Sequence, residues 1–141
     1  MGVRARGRPG RQSTYDGFAR GDLAPLLGIL DDDVEWFEAE HGTYWHGGAY
    51  RGPQAVVEGV LGPIAQDFEN FSINVRRILS CGDTVVVEAR YAATSATASG
   101  KPLDAQVTHI FDFVNGKIMR FQQYTDTWQF AQVTGVEPSP S

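Results

Sequence analysis

A short stretch, VEWFEAEHGTYWHGGAYRG from residue 34 to residue 52, concentrates side chains that can do acid–base chemistry. It contains three glutamates, two histidines and several large aromatic residues. A carboxylate among aromatic rings is poorly solvated, and poor solvation raises its pKa toward the range useful for proton transfer. Because Glu38 has Trp36, Tyr44 and Trp45 close by in the sequence, we predict that it is a general base. The alternative is that Glu38 points to solvent or pairs with a nearby arginine.

The alternation of side chains along a strand predicts which residues lie on the same side as Glu38. If residues 34–38 form a strand, Trp36 and Glu38 lie on one side of it and Glu35 lies on the other. Glu40 would then follow on the side of Glu38. We therefore expect Glu40 at the mouth of any cavity that Glu38 faces.

The histidines of the same stretch invite comparison with metal sites. His41 and His46 lie near two of the glutamates, but HGTYWH matches no established ligand spacing. We therefore predict no metal. The favoured interpretation is that His41 and His46 lie around a pocket entrance, together with Tyr44 and Trp45, in a loop that its glycines allow to bend.

Two further polar residues lie on predicted strands near the C-terminus. His109 alternates with Val107 and Phe111, so its side chain should point into the interior. There it would donate a hydrogen bond to a substrate oxygen or shuttle a proton, although a buried core histidine is the plainer alternative. Gln123 shares a face with Phe121 and can both donate and accept, so it would orient a substrate or His109.

The elements that must position these residues begin with helices. Apolar residues recur at helical spacing over 15–19, and Asp22 is a good N-cap for a second helix over 23–30. Residues 34–38 read as a short strand. A third helix begins at Pro53 and is interrupted at Gly62-Pro63.

The later part of the chain changes from helical to strand periodicity. Four strands are predicted, over 71–79, 84–97, 103–114 and 117–128, and Asn115-Gly116 is a strong hairpin signal. Helices followed by an antiparallel meander predict an α+β fold. Long strands facing short helices should curve, so we expect a cone-shaped barrel: a strongly curved, mainly antiparallel sheet closed by about three N-terminal helices.

Length and composition predict one domain. The 141 residues suffice for a single core, placed over 13–131. Residues 1–12 carry four arginines and little to bury, so they are predicted to be a disordered basic arm. Residues 132–141 are predicted to be a flexible tail.

Charge, hydropathy and cysteine content limit the classes of partner that the protein is expected to bind and the compartment in which it is expected to lie. The net charge of −5 argues against nucleic acid, and no apolar run approaches the roughly 18 residues of a membrane span. The single cysteine, Cys81, excludes an internal disulfide and fits a reducing, cytoplasmic location. The strand 103–114 is largely apolar on both faces, so one face is expected to pair two copies of the chain in a homodimer.

Several motifs resemble a known superfamily. YDGFARGDLAPLLGILDDDVEW, YRGPQAVVEGV and HIFDFVNGKIMRFQQYTDT look like the nuclear-transport-factor-2-like (NTF2-like) fold over roughly residues 13–131. The branch they resemble is the polyketide-cyclase-like, or SnoaL-like, group related to ketosteroid isomerase and limonene epoxide hydrolase. This fold hosts isomerases, hydrolases, cyclases and binding modules.

The resemblance implies roles for individual residues. Glu38 matches the general base of ketosteroid isomerase, whereas the tyrosine of its oxyanion hole falls at Thr14 or Tyr15 and the aspartate falls at His109. In the hydrolase and the cyclases an acidic residue matches Gln123, and in the cyclases a histidine matches His109. The isomerase oxyanion hole is therefore not reproduced, and an amide replaces the acid.

These observations predict a small, cofactor-independent enzyme that isomerises, cyclises or adds water to a hydrophobic, oxygenated small molecule in an apolar pocket. The alternative is a non-catalytic module of the same fold that binds a small molecule or a protein. Asp126, at the end of the last strand, could bind substrate or cap a helical turn. The predicted catalytic residues are Glu38, His109 and Gln123. The predicted substrate-binding residues are Tyr15, Trp36, His41, Tyr44, Trp45, Phe111, Phe121 and Asp126.

Overall fold

The structure is a computed structural model that describes residues 24–135. The predicted basic arm, the predicted first helix with Tyr15, and residues 136–141 lie outside the described residues.

The first described elements are a short helix and a strand that follow one another directly. Helix α1 spans Ala24–Ile29, and strand β1 spans Leu30–Phe37. The prediction that the helix runs to Leu30 and ends in the three aspartates was wrong, because those residues belong to β1. Leu30 pairs with Ile118 of the last strand and Val34 is fully buried, so packing overrides the local helical pattern. Between the paired ends of β1 the register shifts, and Asp31 Oδ2 accepts a hydrogen bond from Asp33 N.

A bent helical segment begins at Pro53. It consists of helix α2 (Pro53–Val56), a π-helical turn (Val57–Leu61) and helix α3 (Gly62–Asp67). The predicted interruption at Gly62-Pro63 was wrong. Pro63 has no N–H to donate, and the chain accommodates it with a wider turn in which Gly62 N–H donates to the Val57 carbonyl.

The main sheet has six strands. Its members beyond β1 are β2 (Tyr50–Arg51), β4 (Ser72–Cys81), β5 (Thr84–Ala93), β7 (Leu103–Val114) and β8 (Lys117–Thr125). Their spatial order is β2-β1-β8-β7-β5-β4. Within residues 24–135, β1 and β8 run parallel and the other neighbouring pairs run antiparallel. The predicted α+β class with a mainly antiparallel sheet is thereby confirmed.

Closure of this sheet into a barrel was predicted wrongly. The outer strands β2 and β4 do not pair with each other, so the sheet is open. Register shifts in the β4–β5, β7–β8 and β1–β8 pairs mark β-bulges, which bend strands without closing the sheet. The number of N-terminal helices is not confirmed, since the chain is described only from residue 24.

The predicted strand over 84–97 divides into two. Strand β5 ends at Ala93, and Ser95–Ala96 form strand β6, which pairs with β3 (Phe68–Glu69) in a separate two-stranded sheet. Thr94 N–H donates to the Glu69 carbonyl, which turns the chain away from the main sheet.

The C-terminal hairpin forms where it was predicted. Asn115 and Gly116 have φ angles of 51° and 79°, the left-handed values that a tight hairpin turn requires. The last strand stops at Thr125, however, and not at residue 128. Helix α4 (Thr127–Thr134) follows, so the predicted flexible tail begins with three helical residues.

The core lies between one face of the main sheet and the helices. Burial alternates strictly along β5, where Val85, Val87, Ala89 and Tyr91 are buried and the residues between them are half-buried. We call this buried side the inner face of the sheet. In the part of the chain that is described, no helix has the length and apolar content needed to cross a membrane.

Candidate active site

Four adjacent strands bring one polar side chain each to the interior. Glu38 follows directly after β1, Gln123 lies on β8, His109 on β7 and Tyr91 on β5. All four residues are at most 5% exposed. His109 and Gln123 are direct partners in the sheet register, so their side chains emerge side by side. The fold thus gathers residues from positions far apart in the sequence into one buried cluster.

Glu38 is held against aromatic rings. Trp36 Nε1 donates a 2.7 Å hydrogen bond to Glu38 Oε2, and the Trp36 ring stacks on Phe121 at a centroid distance of 3.8 Å. Burial raises the pKa of Glu38 from 4.5 to about 7, although hydrogen bonds from Trp36 and Gln123 work in the opposite direction. Near neutral pH this carboxyl can therefore both accept and release a proton.

The arginines that could have neutralised Glu38 lie elsewhere. Arg51 pairs with Glu35, and the Arg120 guanidinium lies over the Phe37 ring at 4.7 Å from its centroid. None of the ion pairs among residues 24–135 includes Glu38. Desolvation without a positive partner is the physical reason for its raised pKa.

The Gln123 amide is oriented by the backbone. Its Oε1 accepts a 3.1 Å hydrogen bond from Ala39 N–H, and its Nε2 donates at 2.8 Å to the Tyr91 hydroxyl. Because a backbone N–H can only donate, it identifies the oxygen end of the amide. Gln123 therefore presents its donor side to Tyr91 and to Glu38.

His109 is kept neutral and bonded to Tyr91. Its Nε2 lies 2.7 Å from the Tyr91 hydroxyl, and burial lowers the pKa of His109 to about 3. Since Tyr91 already accepts a hydrogen bond from Gln123, the pair is well satisfied when Tyr91 donates to Nε2. The imidazole proton then resides on Nδ1.

A small cavity adjoins this cluster. Its polar end is formed by Glu38, Gln123, His109 and Tyr91. Its apolar wall is formed by Leu26, Trp36, Val60, Leu61, Ile64, Ile73, Phe111 and Phe121. The volume is about 40 Å³, far below the roughly 300 Å³ at which pockets for drug-sized ligands begin. A ligand larger than a few water molecules must therefore displace part of this wall.

The predicted residues fall into two groups. Trp36, Phe111 and Phe121 line the cavity beside the predicted catalytic residues. Tyr44 lines a second, smaller cavity that also touches Glu38, and its hydroxyl donates a 2.8 Å hydrogen bond to Asp67 Oδ2. Burial is the main reason why the pKa of Tyr44 is raised, so Tyr44 stays protonated.

Of the other predicted residues, Tyr15 lies outside the described part of the chain, and His41, Trp45 and Asp126 do not line the cavity. His41 packs against Trp45, with 4.7 Å between the ring centroids, and both are half-buried in the loop. Asp126 is the N-cap of α4 and accepts a hydrogen bond from Gln129 N at 3.1 Å, which is the capping alternative considered for it. Glu40 is exposed, because β1 ends at Phe37 and strand alternation does not continue to it.

Tyr91 is the site residue that sequence reasoning missed. It connects Gln123 to His109, yet no role was predicted for it. A signal was present: on β5 it shares the inner face with Val85, Val87 and Ala89, and it alone of these four carries a polar group. A hydroxyl on an otherwise apolar buried face requires a hydrogen-bond partner.

The loop over residues 39–50 covers this end of the molecule, and we call it the aromatic loop. It is anchored by the Tyr44–Asp67 bond and by a 2.5 Å hydrogen bond from the Tyr50 hydroxyl to the Tyr44 carbonyl. His46 is exposed and stacks on Tyr50 at 3.9 Å. Across residues 24–135, no group of three or more His, Cys, Asp or Glu side chains is arranged to hold a metal ion.

Solved structures with this architecture are known. An NTF2-like protein from Burkholderia thailandensis is 26% identical with a TM-score of 0.78, over 86% of this chain and 89% of that one. TerC, co-crystallised with polyporic acid, is 26% identical with a TM-score of 0.77, over 89% and 95% of the two chains. An NTF2-like protein of unknown function from Burkholderia pseudomallei shares the fold at 21% identity, with a TM-score of 0.79 over 89% and 94%.

A comparison with curated proteins finds no match to the chain. A comparison with protein families, by contrast, agrees with the structural similarity. The SnoaL-like domain family matches residues 12–121, which is most of the sequence. The predicted superfamily is confirmed, and the chain belongs to the SnoaL-like domain family of NTF2-like proteins.

Proposed function

We propose that this protein is a small enzyme that performs acid–base chemistry on a hydrophobic, oxygenated small molecule, without a cofactor. The observation that carries the proposal is Glu38, a buried carboxyl beside aromatic rings whose pKa lies at about 7. A group with this pKa is well matched to proton transfer at neutral pH.

In this proposal Glu38 takes a proton from a carbon next to a substrate carbonyl. The electron pair of the C–H bond moves into the new carbon–carbon double bond, and negative charge develops on the carbonyl oxygen. Tyr91 and His109 are neutral groups on the same cavity. When the imidazole proton moves to Nε2, His109 donates to the Tyr91 oxygen, and the Tyr91 hydroxyl proton can turn to the substrate oxygen. Isomerisation and aldol-type cyclisation begin with a step of this kind. In a water addition Glu38 would instead take the proton of the attacking water.

Gln123 acts as a positioning residue. Its amide holds the Tyr91 hydroxyl and contributes a hydrogen bond to the ionised form of Glu38. It cannot take up a proton at neutral pH, so the base and the hydrogen-bond donors stay separate groups. The apolar wall excludes water and strengthens each of these interactions.

Substrate entry requires the cavity to enlarge. Trp36 and Phe121 stack on each other at its edge, and their separation would open space next to Glu38. The co-crystallisation of TerC with polyporic acid supports a small-molecule ligand for this chain.

The test is proton abstraction from a nitrobenzisoxazole. In this reaction a base removes the ring C–H proton, the N–O bond breaks and a coloured phenolate forms, so no natural substrate is needed. We expect the wild-type rate to rise with pH and to level off above about pH 7. Glu38→Gln should reduce the rate to background, because an amide cannot accept the proton.

Glu40→Gln is the matched control, since Glu40 lies two residues away and is exposed. It should keep the wild-type rate and pH profile. Equal background rates from wild type and Glu38→Gln, with both proteins folded by circular dichroism, would contradict the proposal.

A second candidate function is ligand binding without catalysis. It is favoured by the amide of Gln123, which stands in the cavity at the position where related enzymes carry an acid. A ligand that raises the melting temperature of wild type and of Glu38→Gln equally, and is recovered unchanged, would support this candidate.

A further inference from the structure

A second cavity lies beside Glu38. Its volume is about 10 Å³, and it shares Glu38, Gln123 and Ile64 with the larger cavity. The rest of its lining comes from the aromatic loop, from Thr125 at the end of β8 and from helix α4, and it includes Thr43 and Thr127. This volume matches the roughly 10–15 Å³ that one water molecule needs.

Thr43, one of the lining residues, carries a buried hydroxyl without a partner among the described residues. Thr43 Oγ1 makes no hydrogen bond to any atom of residues 24–135. An unsatisfied buried hydroxyl is costly, so such an atom indicates that something else bonds to it. The Thr125 hydroxyl, by contrast, donates at 2.8 Å to the Gln106 carbonyl and is already satisfied.

Glu38 has the capacity to be the other partner. Its Oε2 accepts from Trp36 Nε1, and a carboxylate has about four acceptor sites in total. A water that accepts from Thr43 and donates to Glu38 would satisfy both groups.

We propose that this cavity binds one water molecule, which hydrogen-bonds to the Thr43 hydroxyl and the Glu38 carboxylate and stabilises Glu38 in its ionised, proton-accepting form. The catalytic consequence rests on the proposed function, but the site itself does not. Thr43 is thereby assigned as a positioning residue that acts on Glu38 through the water.

A crystal structure of the full chain at high resolution tests the site directly. We expect an ordered water within hydrogen-bond distance of Thr43 Oγ1 and the Glu38 carboxylate in wild type and in Thr43→Ser, and none in Thr43→Val. A wild-type structure without this water, or with Thr43 Oγ1 bonded to a protein atom, would overturn the proposal.

The effect on Glu38 is measured without an activity assay. Carbon-13 NMR of labelled glutamate carboxyls reports the Glu38 titration, assigned by its disappearance in Glu38→Gln. The pKa of Glu38 should rise by about one unit in Thr43→Val, because a hydrogen bond to the ionised form is lost. Thr125→Val is the matched control, since Thr125 lines the same cavity but its hydroxyl is bonded to the Gln106 carbonyl.

An unchanged pKa in Thr43→Val, or an equal shift in Thr125→Val, would refute the role of the water at Glu38. Should Thr43→Val fail to fold, Thr43→Ala and the wild-type crystal structure decide the question. An inactive wild type that holds the water would refute the proposed function and leave the water site standing. An active wild type without the water would refute the water site and leave the proposed function standing.

Discussion

At the scale of single residues, two buried groups of the candidate site respond to pH in opposite ways. Burial raises the pKa of Glu38 from 4.5 to about 7 and lowers that of His109 from 6.5 to about 3. In both cases the neutral form is favoured, because burial penalises charge of either sign. The site is therefore uncharged in weakly acidic solution.

These shifts have opposite consequences for stability. Between pH 4.5 and pH 7 folded Glu38 holds a proton that the unfolded chain has lost, so its contribution to the free energy of unfolding falls as pH rises. Between pH 3 and pH 6.5 unfolded His109 holds a proton that the folded chain lacks, so its contribution rises with pH. Each slope is about 1.4 kcal/mol per pH unit, and the two cancel where the ranges overlap.

Single substitutions should separate the two contributions. Relative to wild type, Glu38→Gln should gain a positive slope of unfolding free energy against pH between 4.5 and 6.5, and His109→Gln should gain a negative one. Urea denaturation at several pH values measures these differences, and groups common to all three proteins drop out. Parallel curves for the three proteins would show that neither group is shifted by burial.

At the scale of elements, the aromatic loop depends on the helical segment beneath it. Gly59 lies in the π-helical turn, and a Cβ at this position would overlap the ring of Tyr50. Tyr50 in turn holds the loop through the Tyr44 carbonyl. Glycine at residue 59 therefore permits the close approach of loop and helix that covers Glu38.

Gly59→Ala should destabilise the fold by about 1–3 kcal/mol, because the Tyr50 ring must move and its hydrogen bond to the loop weakens. Gly28→Ala is the matched control: a Cβ there meets no atom within 4 Å, and α1 should gain up to about 1 kcal/mol from the better helix former. Chemical denaturation of both variants checks this. If Gly59→Ala had the same free energy of unfolding as wild type, the Tyr50 ring would move aside without an energetic cost, and this prediction would be wrong.

At the scale of the whole molecule, the outer face of the sheet, opposite the inner face, carries a wide concavity. It is an open groove of about 820 Å³ that includes the exposed side chains of Tyr124 and Trp128. The candidate site, which contains Glu38 and His109, lies on the opposite, inner face of the sheet. Exposed aromatic side chains are typical of surfaces that bind a partner.

We expect this outer face to pair two copies of the chain. Trp128→Glu should then convert a homodimer into a monomer, because a charge would be buried at the interface. Val114→Glu is the control, since Val114 is also exposed but lies outside the groove. Sedimentation equilibrium measures the oligomeric state, and a monomeric wild type would contradict the expectation.

Much of the fold followed from local patterns. Alternation along β5 and β7 predicted two strands and the inward side chain of His109, since side-chain direction in a strand depends only on parity. Asn115-Gly116 predicted its hairpin, because few other residues adopt the required backbone angles. The aromatic neighbours of Glu38 favoured burial over the alternative of exposure to solvent, and the structure leaves Glu38 only 4% exposed.

Features that depend on contacts between residues far apart in the sequence were predicted poorly. The sequence by itself determined that Glu38 shares a strand side with Trp36, that His109 shares one with Val107 and Phe111, and that Gln123 shares one with Phe121. Only the tertiary structure decided that the sheet stays open, that Tyr91 joins His109 to Gln123, and that the wall nearly fills the cavity. Parity is a local property of the backbone, whereas strand order, cross-strand hydrogen bonds and cavity volume arise from pairs of residues far apart in the chain.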